Sequence, residues 1–113
     1  MKILSCLVFV FVLLYSTCVY AHPPSDIIIS YDPSSRIVKA VIVHSVSNPL
    51  THYIVKVDVG LNGKEIVEHH ISRQDNNDAQ VVSYLIPDAQ PGDTISVEAY
   101  CSISGKLEKE IKI

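Results

Sequence analysis

Ile95-Ser96-Val97-Glu98-Ala99-Tyr100-Cys101-Ser102-Ile103-Ser104-Gly105 is the stretch that decides how this chain is read. Apolar and polar residues alternate, so an extended backbone puts Ile95, Val97, Ala99 and Cys101 on one face and Ser96, Glu98 and Tyr100 on the other. Nothing in it follows the spacing of a helix, and Gly105 closes it as a turn residue. A half-buried strand that ends in a cysteine is the expected result. The rest of the sequence is then asked whether it supplies partners of the same kind.

It does, repeatedly. Asp26–Tyr31 reads as a first strand, and Asp32-Pro33-Ser34-Ser35 as a turn with proline preset at its second position. Arg36–His44 follows, with Val38, Ala40, Ile42 and His44 on one face and Ile37, Val41 and Val43 on the other. Two apolar faces predict a central strand. Ser45–Thr51 is a loop marked by Asn48-Pro49. His52–Leu61 alternates, with Tyr53, Val55, Val57 and Val59 expected in the core and His52, Ile54, Lys56 and Asp58 opposite. Asn62-Gly63 signals a tight hairpin into Lys64–Ser72. A polar loop, Arg73–Ala79, leads to Gln80–Ile86; the turn-rich Pro87–Asp93 leads to Thr94–Ser102, and Lys106–Ile113 ends the chain. Seven short strands with regular turns predict an all-β, immunoglobulin-like β-sandwich.

The N-terminus reads differently. Met1-Lys2 precedes an uncharged, largely apolar run from Ile3 to Tyr20, and Val19-Tyr20-Ala21 offers the small residues that signal peptidase accepts. His22-Pro23-Pro24 follows at once, where a helix cannot continue. Residues 1–21 are therefore expected to be a cleaved signal peptide, and 22–113 a single exported domain in a secreted or periplasmic setting. An uncleaved membrane anchor is the alternative, since the run is close to the roughly 20 residues that span a bilayer. Cleavage removes Lys2, making the net charge one unit more negative than the −3 of the whole chain. An acidic domain without a basic run argues against nucleic acid and against an anionic membrane surface. A homodimer through an exposed edge strand is compatible with the sequence, though nothing requires it.

Cleavage also removes Cys6 and Cys18, leaving Cys101 without an intramolecular partner. In an oxidising compartment such a thiol is expected to be buried, ligated or used. The candidate ligands are His22, His44, His52, His69, His70 and Cys101. Imidazole and thiolate together suit iron, copper or zinc rather than the hard, oxygen-seeking ions. His44 ends one strand, His52 opens the next and Cys101 ends another, so these three can meet at one rim of a sandwich. His69 and His70 are neighbours on a strand and point to opposite faces, so at most one of them can join a site. His22, as the first residue after cleavage, can offer imidazole and a free amine together, the donor pair of a copper brace. No nucleophile elbow or phosphate-binding glycine loop is present.

Three segments carry a family resemblance. Glu98-Ala99-Tyr100-Cys101-Ser102-Ile103-Ser104-Gly105 resembles the Ala-Tyr-Cys-Asn-x-His-Gly motif of the desulfoferrodoxin/neelaredoxin superoxide reductases. His44-Ser45-Val46-Ser47-Asn48-Pro49-Leu50-Thr51-His52-Tyr53-Ile54 resembles their His-Pro…His-Tyr-Ile segment, and His22-Pro23-Pro24-Ser25-Asp26-Ile27 is a looser match to their first ligand segment. The resemblance implies a non-haem iron with His22, His44 and His52 as equatorial ligands and Cys101 as the axial one. It also implies an external electron-donor protein and reduction of superoxide to hydrogen peroxide. The family's last histidine falls on Ser104. A second likeness, carried by Asn62-Gly63-Lys64 and Gly92-Asp93-Thr94-Ile95-Ser96-Val97, is to the SoxZ-like sandwich of sulfur oxidation, which implies a partner-binding module without enzymatic activity.

Overall fold

The computed structural model describes residues 22–113, so the stretch read as a signal peptide lies outside the described residues. Seven strands follow in order: β1 (Asp26–Asp32), β2 (Ile37–Val43), β3 (Ile54–Leu61), β4 (Lys64–His70), β5 (Ala79–Leu85), β6 (Thr94–Cys101) and β7 (Lys106–Lys112). Among the described residues there is no helix. A three-stranded sheet, β1-β2-β5, faces a four-stranded sheet, β4-β3-β6-β7, and every pairing is antiparallel. The chain crosses between the sheets from β2 to β3, from β4 to β5 and from β5 to β6. This is the all-β, immunoglobulin-like sandwich that the alternation predicts.

Local chemistry explains the corners. Asn62 and Gly63 both take positive φ, 52° and 81°, which is what a tight hairpin between right-twisted strands demands. Arg36 also turns left-handed, with φ 59°, so β2 starts one residue later than expected. The core lies between the sheets. Ile27, Val38, Ala40, Ile42 and Val82 come from one side, and Ile54, Val57, Val59, Ile95, Val97 and Ala99 from the other. Each such side chain contributes roughly 1.5–3 kcal/mol when fully withdrawn from water, Ala less.

Two details differ from the sequence reading. β2 is central in its sheet, yet only its inner face is covered; Ile37 on the outer face is 41% exposed. In β3 a bulge interrupts the pairing with β6 between Ile54 and Lys56. One extra residue reverses the side-chain alternation before it. Ile54, expected on the outer face, is therefore fully buried together with Val57 and Val59, while Val55 is only partly covered.

Antiparallel pairing sets where the ends meet. Asp26 at the start of β1 pairs with Val43 at the end of β2, and Ile54 at the start of β3 pairs with Cys101 at the end of β6. The approach to β1, the exit of β2, the entry of β3 and the exit of β6 thus share one rim.

Candidate metal centre

His44 follows the last residue of β2 and keeps the inward phase of Val38, Ala40 and Ile42, so its ring is fully buried. His52 stands just before β3, where Asn48 shapes the approach: its carbonyl accepts from the amides of Thr51 and His52 at 3.2 and 3.0 Å. The bulge in β3 places Ile54 inward at the level of Cys101. Ser102 then ties the two strand ends together, its amide donating to the Tyr53 carbonyl at 2.8 Å and its hydroxyl accepting from the Tyr53 amide at 3.1 Å. His52 Nε2 consequently lies 3.2 Å from Cys101 Sγ.

His22 comes from the segment before β1. Ser25 anchors that segment through its amide, which donates to the Val43 carbonyl at 2.9 Å. Pro23 rests on Gly105, the glycine that ends the β6–β7 turn with φ +88°; a Cβ there would stand 3.0 Å from Pro23. No other residue fits both the backbone angle and the contact.

The three imidazoles form a nearly equilateral cluster, with ring centroids 4.8 Å apart for His22–His44, 4.9 Å for His22–His52 and 4.8 Å for His44–His52. One ring nitrogen from each lies within 4.8 Å of the others, so the group can hold a metal ion. Cys101 lies outside this three-membered group and brings a buried thiol beside His52, the one ring it contacts. Burial and the two neighbouring imidazoles push the pKa of His52 below its ordinary value, which favours the neutral, ligating form. His22 Nδ1 faces the Pro23 carbonyl at 3.1 Å, and His44 Nδ1 faces Gln74 Oε1 at 2.8 Å. Both contacts leave Nε2 as the ligating atom. His44 Nε2 stands 3.3 Å from the His22 carbonyl oxygen.

The other candidates stand apart. His69 Nδ1 meets the Tyr84 hydroxyl at 2.8 Å and His70 Nε2 meets Glu68 Oε1 at 3.2 Å. Neither belongs to the cluster. Ser104, at the position of the resemblance's last histidine, is exposed on the β6–β7 turn. One residue escaped the sequence reading. Gln74, placed in a polar loop, is 3% exposed and bonded to His44.

Fold and site together define a small β-sandwich with a histidine cluster at one rim. Comparison with protein-family models, with curated proteins and with solved structures finds no match for this chain.

Proposed function

We propose that this is an exported metal-binding protein that holds one iron ion through His22, His44, His52 and Cys101, in the manner of the superoxide reductase iron domain. The observation that carries the reading is the convergence of three ring nitrogens within 4.8 Å at the rim where Cys101, the one free cysteine among the described residues, ends β6. The donor set fits the ion. Imidazole nitrogens and a cysteine sulfur are soft to borderline donors that suit iron, copper or zinc. No carboxylate belongs to the cluster.

If the centre is redox-active, each superoxide takes one electron from an external donor protein and two protons from solvent to leave as hydrogen peroxide. The chain's own residues would hold the ion: the three clustered imidazoles and the sulfur of Cys101, which stands 3.2 Å from His52 Nε2. Ser104 supplies no fourth imidazole, so metal binding is the primary activity proposed and superoxide reduction the secondary one.

Metal analysis of the purified protein tests this, repeated on His44→Ala and Cys101→Ser. Stoichiometric iron in the wild type, with depletion in both variants, supports the reading; a metal-free wild type or undiminished variants overturn it. One observation favours a second reading, a SoxZ-like partner-binding module: the outer face of β1-β2-β5 leaves Ile28, Ile37, Val81 and Leu85 between 40% and 60% exposed. Partner capture by a metal-free protein supports that alternative.

A further inference from the structure

Gln74 lies in the loop between β4 and β5, yet it is as buried as the core. Its backbone amide donates to the Pro49 carbonyl at 3.1 Å, which joins it to the loop that delivers His52. Its side-chain amide has only one acceptable orientation. Nε2 lies 2.7 Å from the His44 carbonyl and 3.0 Å from the Asn76 carbonyl, and both of these can only accept. Reversing the amide would set an oxygen against two oxygens. Oε1 therefore faces His44 Nδ1, at 2.8 Å, and an oxygen there requires the hydrogen to sit on Nδ1.

We propose that Gln74 is a positioning residue: it fixes His44 in the Nδ1–H tautomer, so that the Nε2 lone pair is presented to the cluster before any ion arrives. The inference rests on the metal reading for its purpose, though the tautomer itself exists in the metal-free protein. A ligating histidine characteristically gives its other ring N–H to an acceptor, and losing that partner costs about 10- to 100-fold in metal affinity. The acceptor here is a neutral amide rather than a carboxylate. It orients the ring without adding a negative charge to a buried site.

The acceptor and donor roles of Gln74 separate by substitution. Gln74→Met keeps length and removes both; Gln74→Glu keeps an acceptor for Nδ1–H and removes the donors that tie the loop. Zinc affinity is measured against a chromophoric chelator, beside thermal unfolding, and the His44 tautomer is read from ring nitrogen shifts of the metal-free protein at mildly alkaline pH. The expected result is that both variants melt lower, but only Gln74→Met loses about 10- to 100-fold in zinc affinity. His44 is expected as Nδ1–H in the wild type and in Gln74→Glu, and as a tautomer mixture in Gln74→Met. Equal zinc affinity in Gln74→Met and wild type, or an equal fall in both variants, overturns the proposal. If the variants do not fold, an Nε2–H tautomer in the wild type overturns it alone. A wild type that binds no metal while His44 is Nδ1–H overturns the metal reading and leaves the positioning role standing.

Discussion

His52 Nε2 and Cys101 Sγ stand 3.2 Å apart. Were an ion bound at this rim, the two atoms are near enough for it to take both as neighbouring ligands. The pair is also rigid, because Ser102 binds both the amide and the carbonyl of Tyr53.

Replacing the thiol tests whether this contact belongs to the centre. Cys101→Ser is nearly isosteric and sits at a rim position 7% exposed, so the fold is expected to survive. Metal affinity is expected to fall by more than the about 10- to 100-fold that accompanies loss of an outer partner. Cobalt(II) loading provides the check: a near-ultraviolet thiolate band in the wild type that is missing from the variant. A cobalt-loaded wild type without that band excludes Cys101 as a ligand.

Gly105→Ala reaches the site from the outside. The substitution costs roughly 1–2 kcal/mol for the left-handed backbone alone, and the added methyl meets Pro23 at 3.0 Å. Relief comes by shifting Pro23, and His22 moves with it. Expected are a lower melting temperature, weaker metal binding and a changed His22 ring resonance, with the His52–Cys101 pair unaltered. Normal affinity in a variant whose His22 signal has moved would show that His22 is dispensable.

His69→Ala serves as the contrast. His69 contacts Tyr84 in the opening between β4 and β5 and has no part in the cluster. Its removal is expected to leave metal content and affinity unchanged, as measured by the same titration used for His44→Ala. A loss comparable to that of His44→Ala would mean that the centre extends beyond the rim.

Most of the seven strands were legible because they carry an alternation, and turn residues with special backbone needs, such as Asn62-Gly63, separate them and mark the start of β4, which does not alternate. The fold sets His44 and His52 beside His22, and Cys101 beside His52; that His44, His52 and Cys101 would share one rim was legible because strand ends obey the topology. The bulge in β3 was not. A single inserted residue leaves composition untouched, and only the neighbouring strand reveals that Ile54 rather than Val55 turns inward. Gln74 was hidden for a different reason: its burial comes from Pro49, His44 and Asn76, all brought to it by the fold, and a glutamine in a polar loop carries no periodic signal.

The outer face of the four-stranded sheet makes a pH-dependent prediction. Glu68, Asp58, Glu98 and Glu108 lie opposite one another in register across β4, β3, β6 and β7. Like charges in that arrangement repel. The row sorts itself unevenly. Glu98 accepts from the Tyr100 hydroxyl, which holds its pKa below the ordinary carboxylate range. Glu108 is pushed up, chiefly by desolvation and then by its hydrogen bond to Glu98 and the charges of Glu98 and Glu110, against a smaller opposing pull from Lys106. A carboxyl raised in the folded state binds more protons there than in the unfolded chain, so it destabilises increasingly as pH rises through its two values. Below the unfolded value, near 4.3, both states are protonated and the penalty vanishes. Glu108→Gln removes the charge and keeps a donor for Glu98. It is expected to unfold at higher denaturant concentration than the wild type at pH 7, with the difference closing on acidification toward pH 4. A gain that persists unchanged at pH 4, or no gain at pH 7, would refute the account of Glu108 as a carboxyl pushed up in the folded state.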